Sequence, residues 1–133
     1  MKKLIVYLLA VALATVGLVT TAATPAQAGC SGYQSCPKPI VVAAAPKWAK
    51  KNKTVPVAVK VKIPGNIKPE PGTTVLVKCW KGKSKVTDTD GLNKAGKAHV
   101  DLSFAKSGKW KCIAKYNVKG LKTARDRFAV NVK

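Results

Sequence analysis

The chain has 133 residues, with 25 Lys and Arg against 5 Asp and Glu, a net charge of +20 at neutral pH. Solubility needs only a modest net charge of either sign, so this imbalance points to anionic partners drawn in by a salt-dependent field. One histidine leaves little material for acid–base catalysis, and four cysteines without a paired C-x-x-C do not match zinc spacing.

Residues 1–28 read as a cleaved secretory signal. Lys2 and Lys3 form a positive start, "LIVYLLAVALATVGLV" is the apolar run, and Ala26 and Ala28 are the small residues a signal peptidase reads. A retained membrane anchor is the alternative, but the apolar run is short for a bilayer span and the A-x-A site argues for removal. A lipoprotein signal would also place a cysteine where Cys30 stands. It wants an aliphatic residue three positions earlier, where this chain has Gln27, so lipid anchoring at Cys30 is a minority reading. The expectation is a secreted, extracellular protein, associated with the cell wall. Loss of Lys2 and Lys3 leaves 23 basic residues against 5 acidic ones, enough chain for one domain with a modest core.

Four cysteines in an exported chain read as two disulfides, for which three pairings exist. Cys30 and Cys36 are close in "CSGYQSC", and Cys79 and Cys112 lie in two strand-like segments, so Cys30–Cys36 and Cys79–Cys112 are expected. Residues 29–38 then form an N-terminal disulfide loop and linker, and 39–133 form the domain.

"KPIVVAAAP" reads as a first edge strand, since prolines flank it and suit edges. "KWAKKNK" follows as a turn or loop. From Thr54 onward apolar and polar residues alternate with period two, the pattern of half-buried strands. "TVPVAVKVKI" puts Val55, Val57, Val59, Val61 and Ile63 on one face. "PGNIKPEPG" is a loop by its Pro and Gly content. "TTVLVKCWK" sends Val75, Val77 and Cys79 inward, and Leu76, Lys78 and Trp80 outward. "KGKSKVTDTDGLNKAG" is polar and turn-rich, with a short strand around Val86. "KAHVDLSF" places Ala98, Val100, Leu102 and Phe104 on one face, His99 and Asp101 on the other. "KWKCIAKY" sends Trp110, Cys112, Ala114 and Tyr116 inward, and Lys109, Lys111, Ile113 and Lys115 outward. "RDRFAVNVK" sends Phe128, Val130 and Val132 inward and Arg127 outward. Cys79 and Cys112 share the inward side, as a cross-strand bond requires. Short strands at this spacing predict an all-β sandwich.

Gly96–Leu102 and Gly108–Tyr116 follow "G-x-A-x-V-x-L" and "G-x-(Y/W)-x-(I/V/C)-x-A-x-Y", and Pro71–Val75, with its glycine one place early, corresponds to a "P-x-G-x-V" strand. In these the chain resembles the bacterial Ig-like repeat domains of secreted and surface proteins, over residues 39–133. The resemblance implies an Ig-like β-sandwich of about seven antiparallel strands, used as a spacer, stalk or adhesive module. It carries over no functional residues. The chain departs from that pattern in having one copy, added cysteines and an extreme charge.

Catalytic readings are weak. His99 and Asp101 form a surface pair on one strand, the five acids offer no obvious glycosidase pair, and "DTDG" at 88–91 lacks the third acid and closing Glu of a calcium loop, which leaves a turn. The expectation is a non-enzyme with no cofactor and no metal. If strands 73–81, 109–117 and 124–132 are neighbours, Lys78, Trp80, Lys109, Lys111, Lys115 and Arg127 converge on one basic sheet face. A tryptophan among ammonium groups can stack on a sugar or base while the cations hold anions. Its alternative role is packing against lysine stems. Trp110 belongs to the core, and Trp48 is either a lid or part of the basic surface. The leading expectation is a monomeric binding module for anionic cell-envelope polymers such as teichoic-acid-like chains or acidic polysaccharide. Lipid head groups and, non-specifically, nucleic acid also fit. The competing classes are a cationic antimicrobial or toxin-like protein acting on membranes, and a small-ligand carrier on an Ig-like sandwich.

Overall fold

The computed structural model describes residues 36–133. It contains eight strands: β1 (Ile40–Ala44), β2 (Trp48–Ala49), β3 (Thr54–Lys62), β4 (Thr74–Lys81), β5 (Ser84–Gly91), β6 (Lys97–Ser103), β7 (Gly108–Tyr116) and β8 (Ala124–Val132). The period-two alternation determines where these strands turn their side chains. Val55, Val57, Val59 and Val61 of β3 are buried while the residues between them are exposed, and β4, β6 and β7 bury their expected inward sets in the same way.

The strands form two sheets, ordered β1-β3-β6 and β2-β8-β7-β4-β5. The all-β sandwich expected from the sequence is therefore present. In a constant-type Ig domain the fourth strand completes the sheet of the first, second and fifth. Here β5 pairs with β4 instead, which widens the second sheet.

Two local readings are corrected. The segment after Pro46, expected as a turn or loop, begins with β2, which pairs in parallel with the end of β8 through Trp48 and Asn131. Two residues are too few to show a period. The "DTDG" stretch is the end of β5 rather than a turn, because Thr87, Asp88, Thr89, Asp90 and Gly91 all pair along β4.

Between the sheets lies one apolar layer, and among the described residues no polar or charged residue is buried. Trp110 stacks at a tilt on Phe104, ring centroids 4.9 Å apart, and its indole N–H donates to the Lys106 carbonyl at 2.9 Å. Burial of Trp110 thus leaves its one donor satisfied, and it is a core residue as expected. Cys79 and Cys112 face each other directly across β4 and β7 and are bonded, with Cα atoms 4.0 Å apart. Antibody-type domains join two sheets through their disulfide; this one joins neighbours within a sheet. With a separation of 33 residues it contributes about 3–4 kcal/mol on chain-entropy reasoning. Cys36 is itself disulfide-bonded. Its expected partner Cys30, the lipid-anchor alternative there and the signal segment 1–28 lie outside the described residues.

The outer edges of the three-stranded sheet are tied to the opposite sheet by carboxylates. Asp126 of β8 accepts a hydrogen bond from the backbone N–H of Ala43 in β1, and Asp90 of β5 accepts one from that of His99 in β6, each at 2.8 Å. An unpaired strand edge is a template for another chain. Each tie occupies one edge donor and clips the two sheets together at that side.

Candidate functional site: a cationic sheet face

The sheet register determines which outward side chains meet. Directly opposed residues on adjacent strands are about 4.8 Å apart, and next-but-one residues along a strand about 6.7 Å. One row across the outer face runs through Thr89, Leu76, Lys115 and Arg125. The next runs through Thr87, Lys78, Ile113 and Arg127. A third runs through Lys85, Trp80, Lys111 and Ala129. Beyond it Lys109 opposes Asn131, and Asn131 lies beside Trp48.

All six residues expected on this surface, Lys78, Trp80, Lys109, Lys111, Lys115 and Arg127, stand on the same sheet face. The structure adds Lys85, Arg125 and Lys133, and of the two readings of Trp48, lid or basic surface, it favours the second. Arg125 shares the parity of Arg127, so the alternation already placed it there. Lys85 lay in a segment that looked turn-rich. Trp48 and Lys133 are joined to the face by the parallel β2–β8 pairing and by each other, the Lys133 ammonium lying 4.4 Å from the Trp48 ring centre. That distance is within cation–π range.

No Asp or Glu side chain shares this face. Asp88, Asp90 and Asp126 occupy the alternate, inward positions, opposite Val77, Val75 and Ala114. Asp101 is on β6 of the other sheet, and Glu70 is in the loop before β4. Cations on the face are therefore not neutralised by neighbours on their own side. Two of them, Lys115 and Arg125, are directly opposed. Like charges in that arrangement weaken a strand pair, so the face carries a cost in stability.

Trp80 is half-buried, with Lys85 and Lys111 directly opposite on either side. Leu76 and Ile113 are also half-buried and supply an apolar floor between the lysine stems. The arrangement offers an aromatic edge flanked by ammonium groups on an open sheet face. Such a surface suits a polymer with repeated negative charges and requires no deep pocket.

Other candidate sites are sparse. His99 and Asp101 are exposed on β6, and the carboxylate contact at His99 is made by its backbone N–H with Asp90. Among the described residues no group of three or more His, Cys, Asp or Glu side chains could hold a metal ion. A cavity of about 260 Å³ is lined by Ile63, Tyr116, Val118 and Leu121 together with the charged Lys68 and Glu70. Ligand pockets are commonly about 300–1,000 Å³, and this cavity falls below that range.

No protein-family profile matches the chain, and no characterised relative matches it in sequence. Solved structures share its fold at low identity. A conjugative transposon lipoprotein from Bacteroides eggerthii is 16% identical, with a TM-score of 0.50 over 70% of this chain and 96% of that one. A variant superoxide reductase (neelaredoxin) from Ignicoccus hospitalis is 15% identical, with a TM-score of 0.50 over 74% of this chain and 83% of that one. The CARDB domain of a Pyrococcus furiosus protein, solved with two metal ions, is 17% identical, with a TM-score of 0.44 over 74% and 90%. These similarities concern the sandwich architecture alone.

Proposed function

We propose that the protein is a secreted, non-enzymatic Ig-like module whose five-stranded sheet binds anionic envelope polymers. The observation that supports this reading is the absence of Asp and Glu side chains from a face bearing Lys78, Lys85, Lys109, Lys111, Lys115, Arg125 and Arg127 around Trp80. A cationic sheet face recognises charge spacing and displaces counterions, so affinity falls steeply as salt rises. Lysines, compact point charges on flexible stems, suit phosphate or carboxylate groups that vary in position along a chain. Trp80 adds stacking on sugar rings between the charges. Base-specific reading of nucleic acid is disfavoured, because arginine is the usual partner of guanine edges and only Arg125 and Arg127 are present.

The test is co-sedimentation of the mature protein with purified cell walls, with and without their anionic polymers, across a chloride series. The variant Lys78→Glu/Lys109→Glu/Lys111→Glu/Lys115→Glu is run beside the native protein. Expected is binding that disappears with the polymers, with salt and with the variant. Undiminished binding by a folded variant would remove the function from this face.

A further inference from the structure

The opposite side of the sandwich has a different character. On the outer face of the three-stranded sheet, Ile40 and Val42 of β1 pair with Lys62 and Lys60 of β3. Ile40 is 55% exposed, Val42 53% and, in the adjoining 64–69 loop, Ile67 49%. β-Branched aliphatics are usually the residues a strand buries, and here they face solvent together with lysines at their sides. A groove of about 690 Å³ runs between this face, the 64–69 loop and Ala95. Ile40 and Ile67 line it along with Lys60, Lys62 and Lys68, and no acidic residue does.

Two features select the occupant. A second copy of this chain would bring like-charged lysines together on a protein with 23 basic residues against 5 acidic ones beyond its signal segment, and such self-repulsion keeps copies apart. A hydrophilic polyanion would satisfy the ammonium groups and leave the aliphatics in water. A surface that presents phosphate above hydrocarbon satisfies both.

We infer that this face docks on an anionic lipid bilayer. Ile40, Val42 and Ile67 enter the boundary of the acyl chains, and Lys60, Lys62 and Lys68 meet the headgroup phosphates. The inference does not depend on the polymer-binding reading, which concerns the other sheet. The two surfaces point away from each other, so one molecule can hold a bilayer on one side and a polymer on the other.

The experiment is flotation of the exported protein with vesicles of phosphatidylglycerol and phosphatidylcholine, and with phosphatidylcholine alone. It is done at low salt and in about 1 M salt, where the screening length falls to about 3 Å. The native protein should bind the anionic vesicles and retain part of that binding in high salt, through the inserted aliphatics. Ile67→Ser should weaken binding at least threefold, and Ile40→Ser/Ile67→Ser at least tenfold, with the high-salt component lost. The fourfold Lys→Glu variant of the other sheet should keep its high-salt component. Circular dichroism checks folding, and if the double variant unfolds, Ile67→Ser alone decides, since Ile67 lies in a loop. No binding to anionic vesicles, equal binding by Ile67→Ser, or loss confined to the Lys→Glu variant would each overturn the inference.

Discussion

Gly96 carries much of the turn between β5 and β6. Its φ is +70°, and a Cβ built there would stand 2.7 Å from the carbonyl oxygen of Val61, with Pro69 also close. Its own carbonyl accepts the Val61 N–H at 2.9 Å, so the backbone cannot easily back away. The positive φ alone costs an L-residue about 1–2 kcal/mol, and the overlap with a backbone atom adds to this. Gly72 has a similar φ of +86° but open space around it. Urea denaturation should therefore show Gly96→Ala losing clearly more stability than Gly72→Ala, by at least about 1 kcal/mol on the packing argument. Equal losses would mean that the turn shifts freely.

Among the elements, the edge ties make the sharpest contrast. Asp126 is half-buried and reaches across to Ala43, while the Asp90 bond to His99 is exposed. Removing an acceptor from a shielded donor costs about 1–3 kcal/mol, against about 0.5–1.5 for an ordinary bond. Asp126→Ala is expected to lower stability more than Asp90→Ala in the same denaturation assay. It should also speed hydrogen exchange at Ala43, where β1 is held on one side only.

The strands themselves were largely legible, because half-buried strands alternate and this chain alternates almost without error from Val55 to Val61 and from Trp110 to Tyr116. The Cys79–Cys112 bond followed from the same parity. What escaped was short or unusual in composition. β2 has two residues and no period to show. β5, of which only a short strand around Val86 is expected, is diluted by Ser, Lys and Asp, and its pairing with β4 carries it on to Gly91. With β2 hidden and β5 foreshortened, the basic face looked smaller than it is: Lys85 and Lys133 were missed, and Trp48 stood as either a lid or part of the basic surface. The partition into three and five strands depends on non-local pairing, to which local periodicity is blind.

For the whole molecule, charge is the dominant fact. The acidic residues are drawn to inward parity, loops or the other sheet, and the five-stranded face is left uniformly positive. Self-repulsion on that face opposes folding and is relieved by screening or by a bound polyanion. Calorimetry at low ionic strength should show the melting temperature rising with added chloride, and rising further with polyphosphate. A ligand at about a hundred times its Kd adds about 2.7 kcal/mol. For a domain near 100 residues each kcal/mol is worth about 4–8 °C, so the shift should exceed ten degrees. The fourfold Lys→Glu variant should respond much less to either addition. An equal response would mean that the relevant charges are spread over the surface.

The Cys79–Cys112 bond has a consequence outside the folded state. Between its two ends the chain leaves the five-stranded sheet, forms β6 in the other sheet and returns, exposing Lys94 and Lys106 in the turns on the way. A protein so rich in lysine offers many cutting points to trypsin-like proteases. A cut after Lys94 or Lys106 would leave two fragments that remain covalently joined, each contributing strands to the same core. The nicked molecule would migrate as one species until reduced, and breaking the backbone there would not by itself release a piece.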